Sequence, residues 1–495
     1  MASAAASLVA WIGAVARARS TRPALVEGET TITYRELWDR SASVARELLA
    51  DGLQPGNAVG IIGANEAAYI INYLGIVRAG GTAVPVSNLL DGQSVKDQMA
   101  FAGVQSVFLG DVEADVREAV QGSFRVRPMR QATFIGTTTR LPNVGPNSPC
   151  AVMLTSGSTG NPKGVVHTQG SMLHGALQLV NTFPFSANDR GLLFLPLYAC
   201  IPEQVLPTLC SGGSLEILPG FDIERVSDAC ARVTTFDAVP TVLSRLIEHV
   251  PPARLAHLKW VLFASEPMPI PLLERWWTEV PNVELHQFYG MTEVLTLTAA
   301  PDSLLRLEPS TVGLPFATTA LTIDEDPNRD DASGEICGLT PARMKGYYEN
   351  PAATSAAIAG DGAMRTGDLG RLDDRGLLFL TGRKKDIIIS GGINVSPAEI
   401  EAVACRHSAV QRAVVVGIPS PRWGETPVVV AEARPGETLS PSDLLDHCRN
   451  QLTGYKRPSA VGIVTHLPTT GIGKTAKDVV RRQILNGEIN LVRIG

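Results

Sequence analysis

The stretch Thr155-Ser-Gly-Ser-Thr-Gly-Asn-Pro-Lys-Gly164 is the feature from which the rest of the chain can be interpreted. The apolar residues 151–154 precede it and predict a buried strand. Its glycines let the backbone turn sharply and approach a ligand closely. Its hydroxyl and N–H groups can donate to phosphate oxygens, and Lys163 adds a mobile positive charge. The stretch therefore predicts a cradle for a polyphosphate, with a polar surface turn as the alternative, because short motifs are weak signals by themselves.

The length and composition of the chain exclude several classes of protein. With 495 residues it is too long for one ordinary core, so two or more domains are expected. Its 44% hydrophobic and 19% charged residues are typical of soluble globular proteins rather than disordered ones. The net charge is -6 and there is no large basic block. This argues against nucleic acid as a main partner, because binding the phosphate backbone needs clustered lysines and arginines.

The cysteines and the N-terminus bear on where the protein works. The seven cysteines are an odd number and no two have C-x-x-C spacing. We therefore expect the reduced thiols of a cytoplasmic protein rather than a disulfide framework or a zinc site. The apolar residues 8–16 have no basic residue before them and are too short to span a bilayer. They predict a first amphipathic helix, and no other stretch reaches transmembrane length.

Strand and helix patterns alternate through the first part of the chain. Residues 59–62 predict a strand, 67–77 a helix and 83–86 a second strand, with glycines at the joints. The same succession recurs over 192–218 and 233–263. Strands and helices joined by short glycine-rich segments are typical of a parallel α/β sheet. The expected fold class is therefore α/β.

The pattern changes in the second half. A polar turn at 327–331 predicts a more antiparallel region. Further on, the charged segment Gly382-Arg-Lys-Lys-Asp386 separates two apolar strand patterns, and it is either a solvated loop or a hinge between domains. Strand and helix patterns then alternate over roughly 110 residues, which is long enough for a small α+β domain.

Four further stretches carry side chains suited to a bound nucleotide. Tyr289-Gly-Met-Thr-Glu293 offers a hydroxyl beside a carboxylate, and Glu293 can serve Mg²⁺, which usually takes one or two carboxylates besides phosphate oxygens. Asp368, between glycines, suits the hydroxyls of a ribose. Arg383 can reach ribose or phosphate, and Lys474 lies on a glycine loop near the C-terminus. Taken singly, each stretch is also explained by a helix start or a plain turn.

Together and in this order, the stretches resemble the motifs of the adenylate-forming superfamily, which includes acyl-CoA synthetases, the amino-acid-activating domains of peptide synthetases, and luciferases. The resemblance runs from Tyr34 to Lys474. It rests on five matches in order and rough spacing, which are 155–164, 289–293, 365–370, 382–392 and 473–474. Five ordered matches are far more specific than any one of them.

The resemblance implies a fold and an activity. The fold is a large N-terminal domain, residues 1–384, with two parallel-type α/β sheets and a smaller β subdomain, followed by a small mobile α+β domain, residues 385–495. The activity uses ATP and Mg²⁺ to convert a small-molecule carboxylic acid into an acyl-AMP, whose acyl group then passes to the thiol of coenzyme A. Lys385 is the implied hinge, about which the small domain rotates between the two half-reactions.

The resemblance also assigns residues to the nucleotide. Lys474 is implied to bridge the carboxylate and the adenylate, Thr292 to bind the α-phosphate and Glu293 to hold the metal. Asp368 and Arg383 are implied to bind ribose. The other residues implied at the ATP and AMP site are Thr155, Ser156, Gly157, Ser158, Thr159, Gly160, Lys163, Ser265, Glu266, Pro267, Gln287, Phe288, Tyr289, Gly290 and Met291.

The same resemblance bears on the acid. Ala199 stands where the family often has histidine, which removes a polar group near the reacting carboxylate, enlarges the pocket and puts the efficiency of adenylation in doubt. Relatives that activate α-amino acids carry an aspartate in this region, and residues 198–201 contain none. A bulky aromatic, alicyclic or terpenoid-like acid is therefore expected. The expected lining residues are Tyr198, Ala199, Cys200, Pro240, Phe288, Gly290, Met291 and Leu295.

Two segments of the small domain resemble those that hold the nucleotide of CoA in aryl-CoA ligases. Trp423 can stack on adenine, or it can belong to the core of the small domain. Arg457 can meet a phosphate, and Gly391 can let the pantetheine arm pass close to the backbone. The expected CoA-binding residues are Gly391, Gly392, Trp423, Tyr455 and Arg457.

Two alternatives stay open at this stage. The acceptor can be the phosphopantetheine arm of an acyl carrier protein instead of free CoA. Alternatively, the protein performs only the thioesterification half-reaction on a preformed acyl-adenylate, a hypothesis that Ala199 favours and that Lys163, Glu293, Asp368 and Lys474 oppose.

Overall fold

The computed structural model describes residues 6–129, 140–155, 162–325, 333–391, 393–469 and 475–493. The chain groups into two compact units. The first unit takes residues 1–265, 273–321 and 338–365, and the second takes 266–272, 322–337 and 366–495. The domain boundary and hinge at Lys385 stay predictions, because compactness does not locate an axis of rotation.

Strands and helices alternate along the described chain. The strands are β1 (Pro23–Glu27), β2 (Thr30–Thr33), β3 (Ala58–Ile62), β4 (Thr82–Pro85), β5 (Ser106–Leu109), β6 (Arg125–Pro128), β7 (Pro149–Thr155), β8 (Lys163–Thr168), β9 (Arg190–Leu193), β10 (Ser214–Ile217), β11 (Thr235–Ala238), β12 (Trp260–Phe263), β13 (Glu284–Tyr289), β14 (Thr298–Ala300), β15 (Leu314–Pro315), β16 (Ala320–Glu325), β17 (Gly334–Leu339), β18 (Gly346–Tyr347), β19 (Met364–Leu372), β20 (Leu378–Arg383), β21 (Ile388–Ser390), β22 (Ile393–Val395), β23 (Val410–Ser420), β24 (Gly424–Ala433), β25 (Ala460–Val464) and β26 (Leu491–Arg493).

The helices are α1 (Leu8–Ala18), α2 (Tyr34–Ala50), α3 (Ala67–Arg78), α4 (Gly92–Phe101), α5 (Ala114–Gln121), α6 (Gln169–Thr182), α7 (Leu197–Cys200), α8 (Leu206–Ser211), α9 (Ile223–Cys230), α10 (Pro240–His249), α11 (Pro252–Leu255), α12 (Ile270–Glu279), α13 (Asp302–Leu307), α14 (Pro351–Ala357), α15 (Pro397–Ala404), α16 (Pro441–Gln451) and α17 (Lys477–Leu485). A π-helical turn (Ile201–Val205) lies between α7 and α8, and short 3₁₀ turns cover Lys384–Asp386 and Gly454–Lys456.

The first unit contains a nine-stranded sheet in the order β15-β14-β13-β12-β11-β9-β10-β1-β2. Its central strands β1, β10, β9, β11, β12 and β13 are all parallel neighbours. Parallel neighbours need a crossover, and α9 and α10 supply it before and after β11. The predicted α/β class is confirmed, and the carboxyl ends of these strands meet at one edge of the sheet.

A second sheet in the first unit has seven strands in the order β18-β8-β7-β4-β3-β5-β6. Strands β7, β4, β3, β5 and β6 are parallel. Strand β8 turns back antiparallel to β7, and the short β18 pairs antiparallel with β8. The glycine-rich stretch therefore connects the two strands of a hairpin.

Helices α2 and α3 carry much of the core of the first unit. Thr33 and Glu36 form a reciprocal capping box that starts α2. Every residue of α3 is buried, which suits a helix that is apolar on nearly all sides. Gly75 of α3 lets α2 approach, since a Cβ there would lie 2.5 Å from the Cβ of Val44.

The second unit contains a four-stranded sheet, β16-β17-β19-β20, and a six-stranded sheet centred on β24. Alternate residues of β23 and β24 face opposite sides of the six-stranded sheet. Val415 and Val429 pack with α15 and α16, whereas Val414 and Val430 pack with α17. The predicted α+β character of the C-terminal part is confirmed.

The N-terminal segment forms the expected helix. In α1, Leu8, Ile12 and Ala16 are buried on one face, and the Ser7 hydroxyl accepts a hydrogen bond from the backbone of Ala10. Across the residues that the structure describes, no helix combines the length and the apolar character needed to cross a membrane.

Candidate active site

The ends of the predicted phosphate stretch are held by the β7–β8 hairpin. Thr155 lies opposite Lys163, and its hydroxyl donates to the Lys163 carbonyl oxygen at 3.4 Å. Gly164 leaves no room for a side chain, because a Cβ there would be 2.9 Å from Val152 and 3.0 Å from Tyr348. The hairpin therefore places Thr155 and Lys163 side by side where the sequence predicts that phosphate binds.

Tyr347 brings Lys163 and Glu293 together. Its ring lies under the Lys163 ammonium, with Nζ 4.9 Å from the ring centre. Its hydroxyl donates to Glu293 Oε1 at 2.7 Å. Burial and the charge of Glu293 raise the pKa of Tyr347, so the phenol keeps the proton that it donates. The predicted phosphate lysine and the predicted metal ligand thus share one aromatic residue, although they are far apart in the sequence.

Glu293 fits the role of a magnesium ligand. Its side chain is only 7% exposed and its backbone carbonyl accepts a hydrogen bond from Met344 N at 2.7 Å, so its position is well defined. Oε1 is taken by Tyr347, whereas Oε2 has no hydrogen-bond donor among the described residues. One available carboxylate oxygen suits Mg²⁺, which keeps several waters and fills its shell from substrate phosphates.

His167 connects the same turn to β8. Its Nε2 lies 2.6 Å from the carbonyl oxygen of Thr292, and its Nδ1 lies 3.0 Å from the Ser171 hydroxyl. A carbonyl can only accept, so Nε2 carries the proton and Nδ1 accepts from Ser171. Burial lowers the pKa of His167 to about 4, so the ring is neutral at physiological pH. Its two hydrogen bonds fix the Thr292 turn against β8.

The turn after β13 depends on Gly290. A Cβ at this position would lie 1.9 Å from the carbonyl oxygen of Leu295, too close for any side chain. Leu295 itself has a left-handed φ of 57°, and Leu297 N donates back to the Tyr289 carbonyl at 2.8 Å. This tight turn places Thr292 and Glu293 just beyond the carboxyl end of β13.

The predicted acid and adenine residues of the first unit follow the carboxyl ends of neighbouring parallel strands. Tyr198, Ala199 and Cys200 lie in α7 after β9, and Pro240 begins α10 after β11. Ser265, with a left-handed φ of 77°, follows β12. The residues of the adjoining strand and its exit turn are Gln287, Phe288, Tyr289, Gly290, Met291 and Leu295. Ligands bind at this edge of open α/β sheets, so the placement agrees with the predicted pocket.

Some of these residues are packed more deeply than a lining position requires. Cys200 and Leu295 both belong to the main hydrophobic cluster of the first unit, and the Cys200 thiol lies 3.4 Å from the Leu195 carbonyl. Tyr198 and Met291 are half-buried. Which of them contact the acid therefore stays a prediction.

The predicted ribose residues pair with each other in the second unit. Asp368 and Arg383 are direct cross-strand neighbours in β19 and β20, and Arg383 Nε lies 2.9 Å from Asp368 Oδ1. Asp368 is only 7% exposed, whereas Arg383 is more than half exposed. Glu335 steadies this corner, because its carboxylate accepts from Gly367 N at 3.1 Å and from Lys384 Nζ at 3.0 Å.

The predicted hinge and CoA residues also lie in the second unit. Lys385 is exposed in the 3₁₀ turn that joins β20 to β21. Gly391 packs under Trp423: a Cβ on Gly391, whose φ is 62°, would be 2.9 Å from the indole. Trp423 is 47% exposed, with the Arg422 guanidinium 4.7 Å from the ring centre, so it is not a core residue. Tyr455 and Arg457 are exposed on a neighbouring 3₁₀ turn and just after it.

Several predicted site residues lie outside the described part of the chain, and two predicted adenine-site residues belong to the second unit rather than the first. Ser156, Gly157, Ser158, Thr159, Gly160, Gly392 and Lys474 are outside the described residues. Glu266 and Pro267 belong to the second unit.

Three side chains at the site were missed by sequence reasoning. His167, a polar residue inside an apolar strand next to the glycine-rich stretch, was a visible signal. Tyr347 and Glu335 stand in segments with no motif, so only their contacts reveal them.

Comparison with known proteins supplies the family. Residues 13–348 match the family model described as AMP-binding enzyme, and residues 399–474 match the model described as AMP-binding enzyme C-terminal domain. The first match covers well over half of the chain, and the second lies inside the predicted small domain.

Individual relatives agree over almost the full length. The chain is 32% identical to a feruloyl-CoA synthase of Amycolatopsis sp over 96% of this chain and 99% of that protein. It is 30% identical to a long-chain-fatty-acid–CoA ligase of Mycobacterium tuberculosis, over 95% and 98%. Its structure resembles ATP-bound MatB from Rhodopseudomonas palustris with a TM-score of 0.87 at 26% identity, over 97% and 99%. The chain therefore belongs to the AMP-binding enzyme family, among the acyl-CoA synthetases of the adenylate-forming superfamily.

Proposed function

We propose that this protein is an ATP-dependent acid–CoA ligase that activates a bulky, largely apolar carboxylic acid. In the first half-reaction a carboxylate oxygen attacks the α-phosphorus of ATP, the bond to pyrophosphate breaks, and an acyl-AMP forms. In the second, the CoA thiolate attacks the acyl carbon and AMP leaves with the electron pair of the broken carbon–oxygen bond. A mixed anhydride is needed because a free carboxylate is a poor electrophile.

The residues of the first unit suit the first half-reaction. Phosphoryl transfer depends on positioning and on neutralising negative charge. Lys163 supplies one positive charge, and the Thr292 hydroxyl can donate to the α-phosphate. A magnesium ion at Glu293 would shield the phosphates. Tyr347 and His167 hold these groups in place, which removes the need to reorganise them during the reaction.

The second unit contains the residues proposed for the ribose and for CoA. Asp368 can accept from ribose hydroxyls, with Arg383 as its neighbour. Trp423 offers an exposed indole face for the adenine of CoA, and Arg457 offers a charge for its phosphates. Lys474 is proposed to serve adenylation alone, which requires the small domain to rotate about Lys385 before the thiol enters.

The observation that carries the proposal is the contact of Tyr347 with both Lys163 and Glu293. Tyr347 joins Lys163, on the glycine-rich hairpin, to the buried carboxylate of Glu293. A magnesium–triphosphate substrate needs both a positive charge for its phosphates and a carboxylate for its metal ion. The named relatives support CoA as the acceptor: a feruloyl-CoA synthase and a fatty-acid–CoA ligase both make acyl-CoA thioesters.

A panel of aromatic, alicyclic, terpenoid and fatty acids tests the proposal. Each acid is incubated with ATP, Mg²⁺ and CoA, and both AMP release and the acyl-CoA mass are followed. At least one acid should give equal amounts of AMP and thioester. If thioester appears only on an added carrier protein, the carrier alternative is correct instead of free CoA.

The half-reaction alternative has its own test, because Ala199 removes a polar group. Pyrophosphate exchange should occur with the acid that yields thioester. If no acid supports exchange but supplied acyl-adenylate still yields acyl-CoA, the protein performs only the second step.

A cytoplasmic location is part of the proposal. All seven cysteines are free, and six of them are buried. Free thiols persist in a reducing compartment, which is also where ATP and CoA are available.

A further inference from the structure

Asp237 is a buried carboxylate that no step of the proposed reaction uses. It lies in β11 and is only 7% exposed. Its neighbour Phe236 packs against the ring of Phe194, with the ring centres 5.6 Å apart. Because side chains alternate along a strand, Asp237 points to the opposite face of the sheet, towards the cluster that contains Leu193 and Cys200.

One oxygen of the Asp237 carboxylate lacks a hydrogen-bond partner among the described residues. This oxygen, Oδ2, is buried. Burying a carboxylate without a partner is unfavourable, and proteins nearly always supply one. A hydrogen-bond donor on a bound molecule would satisfy this oxygen.

Glu203 provides a second carboxylate at the same place. It lies in the π-helical turn directly after Tyr198, Ala199 and Cys200, and π-helical turns occur often at functional sites. Its charge acts on both Asp237 and Cys200. Burial, together with the charge of Glu203, raises the pKa of Asp237.

We propose that Asp237 and Glu203 form a subsite that accepts a hydrogen bond from a hydroxyl or ammonium group of the acid, separate from its reacting carboxylate. The inference rests on the proposed function, because two of the expected pocket residues are close to Asp237. Cys200 lies near it in space, and Pro240 follows it in the sequence. The preferred substrate is then a bulky apolar acid with one donor group. A purely hydrocarbon acid leaves Asp237 without a partner and binds more weakly.

The test uses matched acids that differ in one substituent. Phenylpropanoate and cyclohexylpropanoate are each supplied bare and with a methyl, a hydroxyl or an aminomethyl group at each ring position. AMP release gives kcat/KM for every acid. The wild type should favour the hydroxyl form over the methyl form, which has the same shape, or the aminomethyl form over the bare acid, by roughly tenfold or more. The two donor arms show whether the subsite takes a neutral or a charged donor.

The variant Asp237→Leu should remove this preference and turn over the methyl acids at least as well as the wild type. Thr235→Val is the matched control, because Thr235 lies on the same face of β11 and its hydroxyl is also buried without a partner among the described residues. The control should keep the wild-type ratio. Asp237→Leu should also unfold at the same or a higher Tm, since it removes a buried polar group that lacks a partner among the described residues.

Three results overturn the inference. If the wild type turns over several acids without favouring donors, the subsite is absent and the ligase function stands. If Asp237→Leu lowers the Tm and leaves the ratio unchanged, Asp237 is structural. If no acid supports AMP release, the proposed function is wrong, and the subsite inference, which rests on it, is wrong too.

Discussion

The hydroxyl of Tyr347 determines where one oxygen of Glu293 points, while its ring supports Lys163. The motifs name Lys163 and Glu293 because each belongs to a recognisable stretch. They do not name Tyr347, because its role comes from the antiparallel pairing of β18 with β8. A residue on a two-residue strand has no periodicity from which a role can be inferred.

Replacing Tyr347 with phenylalanine should weaken the response to magnesium. The variant keeps the ring under Lys163 but loses the hydrogen bond to Glu293, so the magnesium concentration for half-maximal pyrophosphate exchange should rise by about tenfold. Tyr348→Phe is the control, since its ring packs against Phe101 away from Glu293. Direct titration with Mg²⁺–ATP should show the same loss of affinity. Equal magnesium responses in both variants would contradict the role given to Tyr347.

His167 makes folding stability depend on pH. Its pKa is lowered from 6.5 to about 4 by burial, so the unfolded chain binds a proton more readily between these values. Stability from the neutral ring is present above pH 6.5 and is lost as the pH falls towards 4. Between pH 7 and pH 5 the loss should be about 2 kcal/mol. In His167→Gln this part of the pH dependence should disappear, as measured by urea unfolding at both pH values.

At the scale of elements, the exit turn of β13 is built around a glycine. Gly290→Ala should lower the free energy of unfolding by more than about 2 kcal/mol, because its Cβ would overlap the Leu295 backbone and no flexible side chain can yield. Gly220→Ala is the control, since nothing lies within 4 Å of its Cβ position. Denaturant midpoints of the two variants should differ clearly. Similar midpoints would mean that the turn can open without cost.

The connection between β23 and β24 presents Trp423 to solvent, and the proposed CoA site can be tested there. Trp423→Ala should raise the KM for CoA roughly tenfold, as expected when a stacked base loses its aromatic partner. Pyrophosphate exchange, which needs no CoA, should stay unchanged. Leu485→Ala, at another exposed apolar residue of the same unit, should affect neither measurement. A loss of exchange in Trp423→Ala would assign the indole to folding or adenylation instead.

At the scale of the whole molecule, one substitution should impair the first half-reaction and spare the second. Lys474→Ala should reduce acyl-AMP formation by at least a hundredfold, because it removes a charge proposed for the transition state. It should leave thioester formation from supplied acyl-adenylate nearly intact. Lys477→Ala is the neighbouring control, since Lys477 pairs with Glu401 at 2.7 Å. Equal loss of both steps in Lys474→Ala would exclude a rotating small domain.

The sequence by itself determined the α/β class, the α+β character of the C-terminal part and the family. These depend on local periodicity, on glycines at joints and on the order of short motifs, all of which can be read along the chain. It also named Asp368 and Arg383, but not that they pair across β19 and β20.

Only the tertiary structure decided which distant side chains meet. The pairing of β18 with β8 places Tyr347 between Lys163 and Glu293, and the fold brings Asp237 of β11 near Cys200 of α7. The sequence of a strand does not show which strand it pairs with, because register is set by packing across the sheet rather than by neighbours in sequence. For that reason the sequence could name Lys163 and Glu293, which belong to motifs, whereas it could not name Tyr347 or Asp237, whose roles come from contacts across the sheets.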